Sequence, residues 1–203
     1  MAEALDALAA GARSILDRPL TQRELDSFDK YLRLLVKWQR VQRLVGSAEP
    51  AWIVDNLFLD SLLFLRVLPP GIGSLADLGS GAGIPGIPIK VVTPGLDVAL
   101  IESRSRRASF LAAVVRELGL PRTRVVSERV QGEASVESSP VDAVVMRCAG
   151  DLRRMVDIAR RLVRPGGVVV ASGPPEPRVM AGVEWIVVTR PSGERRWFAV
   201  ATR

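Results

Sequence analysis

Residues 76–88 read ADLGSGAGIPGIP and place four glycines and two prolines in thirteen positions. In a chain that is 48% hydrophobic, such a stretch weakens helix and strand alike. Glycine admits backbone angles and close approaches that a side chain forbids, so something is expected to come near the backbone here. The flanking pattern limits the architecture further. Short apolar runs predict strands over 74–78, 97–102, 124–127, 141–147 and 167–171. Helices predicted over 85–92, 105–118 and 152–163 separate most of them, the second stopped by Gly119. Such alternation implies a parallel sheet with right-handed crossovers. The runs 184–190 and 195–201, joined around Pro191-Ser192-Gly193, read as an antiparallel hairpin. Stretches 131–140 and 172–177 read as loops.

Before this alternation the chain reads as helix alone. Leu25, Phe28, Leu32, Leu35, Trp38 and Val41 recur every three or four residues, one face of an amphipathic helix. Pro50 starts another helix carrying Trp52, Leu57, Leu59, Leu62 and Leu65, and Pro69-Pro70-Gly71 ends it. A helical region over 1–70 and an α/β domain over 71–203 are therefore expected, together forming one compact unit.

Absences narrow the chemistry. Apolar runs such as 84–92 and 141–146 fall well short of the ~20 residues of a membrane span. The first sixteen residues alternate acids and alanines, reading as a helix rather than a signal peptide, so a cytoplasmic location is expected. The single cysteine, Cys148, leaves no internal disulfide. With no histidine, Ser-His-Asp and Cys-His catalysis as usually built are removed, and so is an ordinary structural zinc site. No metal is expected, and any reaction must need little acid–base help near neutral pH. The net charge of +6 rests on 25 Arg against 3 Lys, and arginine suits forked contacts to phosphate. Clusters at Arg104, Arg106 and Arg107, at Arg153 and Arg154, at Arg160, Arg161 and Arg164, and at Arg195 and Arg196 are candidates for RNA contact. Solvated helix and strand faces are the plainer account of the same residues.

Gly81-x-Gly83-x-x-Gly86 matches a dinucleotide fingerprint, with Glu102 ending the next predicted strand sixteen residues later. An acid there can hold both hydroxyls of a ribose; a tight turn with the acid capping the next helix is the plainer alternative. A dinucleotide sets its pyrophosphate on free N–H groups at the helix start, and Pro85 removes one of them. Asp77 and Gly79 extend the pattern to D-x-G-x-G-x-G, which suits S-adenosylmethionine. That ligand has no phosphate: its methionine moiety lies along the glycines and its ribose meets the acid. S-adenosylmethionine is therefore expected ahead of a nicotinamide or flavin cofactor, bound by Asp77, Gly79, Gly81, Gly83 and Glu102. The fold expected is an α/β, Rossmann-like methyltransferase sheet with an N-terminal helical extension and a C-terminal antiparallel hairpin.

The stretch LADLGSGAGIPGIPIKVVTPGLDVALIESRSRRASFLAAVVRELGL, residues 75–120, resembles the bacterial small-subunit ribosomal RNA guanine-N7 methyltransferases, also known as glucose-inhibited division protein B. Ile-Pro-Gly-Ile-Pro after the glycines and Glu-Ser followed by basic residues and Phe-Leu carry the likeness. Lys37-Trp38, Leu59-Asp60-Ser61 and Gly193-Glu194-Arg195 extend it along the chain. The resemblance implies that Gly79, Ile84, Val130, Gln131 and Arg147 line the cofactor pocket, with Arg147 beside the transfer site. It also implies methylation of 16S ribosomal RNA, with that RNA or the small ribosomal subunit as partner; a monomer is expected.

Four positions depart from the family pattern. Leu57 stands where the family has His, Arg43-Leu44-Val45 replaces Asn-Leu-Thr, Met146-Arg147-Cys148 replaces Ser-Arg-Ala, and Ser172-Gly173 replaces Lys-Gly. All four are expected on the substrate side. The implied chemistry suits a chain without histidine, because guanine N7 carries a free lone pair and needs no base. Catalysis reduces to placing the methyl in line with N7 and excluding water. The methylated base becomes cationic, so a carboxylate would help, and Asp60 is the candidate beside Arg147. A helix cap for Asp60 and a buried ion pair for Arg147 are the alternatives. Two other functions remain open: a methyltransferase acting on another RNA or a small molecule, and a non-catalytic relative that binds cofactor or RNA.

Overall fold

A computed structural model describes residues 1–129, 140–147, 151–174 and 176–203. Helices α1 (Ala2–Leu16) and α2 (Gln22–Gln39) open the chain. Thr21 caps α2 in a reciprocal box with Glu24, whose carboxylate also pairs with Arg18 at 2.6 Å. One continuous helical run follows: α3 (Pro50–Ile53), a π-helical turn over Val54–Leu59, α4 (Asp60–Leu62) and a 3₁₀ turn over Leu63–Arg66. A π turn holds one residue more than an α turn and so rotates the side chains after it by about 100°. Asp60 is the first residue past that rotation.

The α/β part runs β1 (Ser74–Leu78), α5 (Gly86–Val92), β2 (Asp97–Ile101), α6 (Ser105–Glu117), β3 (Thr123–Val126), β4 (Val141–Arg147), α7 (Leu152–Arg160), β5 (Val163–Ser172), β6 (Glu184–Thr189) and β7 (Arg195–Thr202). The seven strands lie in the order β3-β2-β1-β4-β5-β7-β6. The first five are parallel, and β7 runs antiparallel to both β5 and β6. Continuous apolar runs in β1, β2, β4 and β5 are what a sheet covered on both faces requires. Strand order reverses between β1 and β4, which opens a crevice at their carboxyl ends.

Alternation assigns each side chain to a layer. Leu75, Val98, Leu100, Ala143, Val145, Val170 and Phe198 join the N-terminal helices, α5 and α6 in one core. Ala76, Ile101, Val144, Met146, Val169 and Ala199 join α7 in the other. Aromatic contacts bind the first core: Phe28 and Tyr31 meet Phe58 at 5.2 and 5.1 Å between centroids, and Phe64 meets Phe198 at 4.9 Å. Among the described residues, no helix is long and apolar enough to cross a membrane.

The predicted elements occur with shifted ends, the largest shift at β5. It begins at Val163 rather than residue 167, and α7 stops at Arg160 rather than 163. Val163 pairs with Val141 before an irregularity in the ladder, so polar Arg164-Pro165-Gly166 lies within the strand. An apolar count cannot see that pairing. Most of the loop expected at 131–140 lies outside the described residues.

Candidate functional site

Two groups of residues meet where β1, β2 and β4 end. The first is the glycine turn after β1. Asp77 is fully buried at its base; Oδ2 accepts hydrogen bonds from the Ser80 hydroxyl (2.6 Å) and the Gly86 N–H (2.9 Å). Its Oδ1 has no partner among the described residues. Burial pushes the carboxyl up to about 6, the Ser80 and Gly86 bonds restrain the rise, Glu102 adds to it and Arg147 opposes it.

The four glycines divide into two pairs. Gly79 (φ 73°) is exposed, and a Cβ built there would meet nothing within 4 Å. Gly81 (φ 59°) is half-buried, and its nearest neighbours would stand 3.7 Å from a Cβ. Both hold left-handed backbone angles and leave open space in front of them. At Gly83 a Cβ would overlap the Ile87 side chain and approach the Tyr31 hydroxyl to 2.9 Å. At Gly86 it would lie 2.7 Å from Asp77 Oδ2 and from Leu100. These two rear glycines answer to packing within the protein itself. Tyr31 stacks on Phe58 and donates to the Ala82 carbonyl at 2.5 Å, which fastens α2 to the turn. Ile84 is buried in the same core.

Glu102, at the end of β2, is buried and closes this group. Its Oε2 accepts from the Gly81 N–H (3.1 Å) and its Oε1 from the Arg104 N–H (2.8 Å), while Arg107 Nη1 stands 3.9 Å away. The acid thus ties the glycine turn to the backbone entering α6 without bonding the helix's own first N–H groups, and each carboxylate oxygen keeps acceptor capacity beyond these bonds. Val130 and Gln131, implied by the resemblance, lie outside the described residues, as does Cys148.

The second group centres on Asp60, 3% exposed. Arg196 Nε stands 3.1 Å from Oδ1, and its Nη2 donates to Oδ2 at 3.3 Å. Arg147 Nε stands 3.6 Å from Oδ2, and its Nη1 donates to the Asn56 carbonyl at 3.0 Å. Arg190 binds beside them, to Asp55 Oδ2 (3.1 Å), the Asp55 carbonyl (2.8 Å) and Glu194 (2.9 Å). Burial lowers the Arg147 pKa, Asp60 opposes that, and the charges of Arg196 and Arg190 add to it. Sequence reasoning names Asp60 and Arg147 at the transfer site and Arg196 only among the basic clusters offered for RNA contact. Period-two alternation was the available signal, because Phe198 faces the helical layer and Arg196, two residues earlier, shares its side.

The departures fall in three places. Leu57 (6% exposed) and Met146 (0%) are core residues in separate layers, which corrects their placement on a substrate side. Ser172 pairs in register with Arg147. Arg43 is exposed and lines a cleft of about 590 Å³ with Arg104, Arg106 and Arg107. Of the other basic clusters, Arg164 pairs with Asp142 at 2.5 Å and Arg160 bonds the Gly182 carbonyl, so part of the charge serves the fold. Among the described residues, no group of three or more His, Cys, Asp or Glu could hold a metal.

The sheet superposes on the O-methyltransferase TomG from Streptomyces achromogenes, solved in complex with S-adenosylmethionine, with a TM-score of 0.56 and 17% identity. The match covers 87% of this chain and 89% of that one, a likeness of fold. The Ribosomal RNA small subunit methyltransferase G of Stenotrophomonas maltophilia (strain K279a) is 37% identical over 169 residues, covering 81% of this chain and 78% of that protein. The protein of the same name from Xanthomonas oryzae pv. oryzae is 32% identical over 209 residues, covering 96% and 97%. The family profile GidB, described as rRNA small subunit methyltransferase G, matches residues 24–173. A match over that much of the chain, with one relative aligned nearly end to end, settles membership: the chain belongs to the GidB family of small-subunit rRNA methyltransferases.

Proposed function

We propose that the chain transfers a methyl group from S-adenosylmethionine to N7 of a guanine in small-subunit (16S) ribosomal RNA. One observation carries this reading beyond the family: the open glycine turn and the Asp60 cluster end neighbouring strands. Asp77 pairs in register with Val145, so the turn that follows β1 and Arg147 at the end of β4 leave adjacent strands, close enough for Asp77 and Arg147 to act on each other's charge. S-adenosylmethionine fits the open half of the turn, where a Cβ on Gly79 would fill vacant space. Gly79, Gly81 and Glu102 would hold it, with Asp77, Gly83 and Ile84 bracing the turn from behind. When bound it supplies a methyl group on a sulfonium.

The nucleophile is a free lone pair, so no residue of this chain has to remove a proton. What the residues must do is orient the base and exclude water. Asp60 acts here as a positioning residue rather than by the direct contact expected, because it is buried and both its oxygens face guanidinium groups. It fixes Arg147, which reaches the crevice. In this reading residues 1–70 are a helical extension that delivers Asp60 to a methyltransferase domain over 71–203. The test is single-turnover transfer from methyl-labelled S-adenosylmethionine to small ribosomal subunits and to naked 16S RNA, followed by mapping of the modified base. Label at a guanine N7 is expected. No label in either substrate, with cofactor bound normally, would overturn the reading in favour of another substrate or a non-catalytic role.

A further inference from the structure

We propose that the cleft at the ends of β4, β5 and β7 seats the RNA strand, and that Arg147 and Arg196 together grip a backbone phosphodiester beside the target nucleotide. The proposal rests on the RNA-methyltransferase reading above. The charge balance is its first support. One carboxylate, Asp60, serves two guanidinium groups, whereas neighbouring Arg190 has both Asp55 and Glu194. The three arginines and three carboxylates cancel in sum, but Asp55 and Glu194 are 48% and 70% exposed, whereas Arg147 and Arg196, 28% and 27% exposed, share the one buried carboxylate, so negative charge is short locally around that pair. An anion relieves that shortage; burial is the main cause that lowers the Arg147 pKa, and the charges of Arg196 and Arg190 lower it further.

Geometry is the second support. Arg147 Nη2 and Arg196 Nη1 have no hydrogen-bond partner among the described residues. Both arginines line a cleft of about 1010 Å³, together with Arg153 and Arg178; Asp151, which caps α7, and Glu176 are the acids on its wall. Two guanidinium forks fixed on one carboxylate suit the oxygens of a phosphodiester. The place is right for a strand whose base must reach the glycine turn. Arg147 ends the strand next to β1, and neighbouring strands lie about 4.8 Å apart, well within the span of one nucleotide. Arg196 lies beyond residues 24–173, the span that the family profile matches.

The experiment measures fluorescence anisotropy of a labelled ten-nucleotide single-stranded RNA across a salt series, with wild-type chain, Arg196→Gln and Arg196→Lys. Arg196→Gln should weaken binding about fivefold or more and reduce the slope of log K against log salt by about 0.7, the share of one phosphate contact on a single strand. Arg196→Lys should keep that slope, since it keeps the charge. Affinity for S-adenosylmethionine should match wild type in both variants. An unchanged slope in Arg196→Gln overturns the proposal. Equal losses in Gln and Lys variants, with a lowered melting temperature, overturn it in favour of a structural role. Guanosine monophosphate binding as tightly as the strand, with the same loss in Arg196→Gln, overturns it in favour of a free nucleotide. Absence of methyl transfer to ribosomal RNA by the wild-type chain would sink the reading above instead, and a reduced slope in Arg196→Gln would still support the strand seat.

Discussion

The glycine turn and the Asp60 cluster sit side by side yet are built in opposite ways. The turn is local: Asp77, Ser80, Gly81, Gly86 and Glu102 lie within one strand-helix-strand unit and bond to one another. The cluster is assembled from far apart, with Asp60 meeting Arg196 across 136 positions and Arg147 meeting Asn56 across 91. In the first, backbone conformation is the working part, around a buried carboxyl, Asp77, held by a hydroxyl and an N–H rather than by a cation. In the second, a π turn aims Asp60 and charge does the rest of the positioning. A site made from local backbone tolerates few substitutions at its glycines, and one made from distant charges depends on a single shared carboxylate.

The largest expected effect divides the turn itself. Gly83→Val pushes a side chain into Ile87 and Tyr31 at a φ of 89° and should cost about 3 kcal/mol or more of stability. Gly79→Ala, with open space before it, should cost only the left-handed strain of about 1 kcal/mol. Urea denaturation of both variants tests this, and equal losses would erase the distinction between front and rear glycines.

Next comes the carboxylate. Asp60→Ala leaves Arg147 and Arg196 without their counter-charge and should destabilise by about 2–3 kcal/mol, a little below the range for fully buried pairs because both guanidinium groups touch solvent. Asp60→Asn keeps the shape and should lower single-turnover transfer more than RNA affinity. A variant with unchanged transfer would make the cluster a strut.

Leu57→His, which introduces the family residue, should lose about 2 kcal/mol, because it buries an imidazole among apolar neighbours in the π turn. A melting temperature equal to wild type would place Leu57 on an open cleft.

The smallest effect is one of pH. The Asp77 carboxyl titrates near 6 in the folded chain against a usual 3.8, so the folded state holds the extra proton between those values. Stability therefore falls as pH rises through that window. Asp142, drawn down to about 2 chiefly by its bond to Arg164, acts in the opposite direction and only at lower pH. Asp77→Asn should flatten the fall between about pH 4 and pH 6, as read by denaturation across that range. A wild-type chain whose stability does not fall there would contradict the burial of Asp77.

The same contrast explains what the sequence could tell. The glycine turn was readable because every residue of it sits in one window of thirteen positions with Glu102 one strand away. Even so, the pattern could not separate Gly79 and Gly81 from Gly83 and Gly86, since that depends on where Ile87, Tyr31 and Leu100 fall. The start of β5 is not legible because it rests on the single pair Val163–Val141, and polar Arg164-Pro165-Gly166 fall in the irregularity before Val168 pairs with Ala143. Asp60 and Arg147 were reached through family likeness. Their meeting with Arg196 needed the π turn of the helical run and the layer assignment of β7, neither of which leaves a local apolar signal.

Calorimetric titration of S-adenosylmethionine into wild-type chain, Gly81→Val and Arg196→Gln tests the separation of the two groups most directly. Gly81→Val should bind at least tenfold more weakly, about 1.4 kcal/mol, because its side chain enters the open half of the turn. Arg196→Gln should bind like wild type. Equal affinity in wild type and Gly81→Val, or a tenfold loss in Arg196→Gln, would contradict the placement of cofactor at the glycines and of RNA at the arginines.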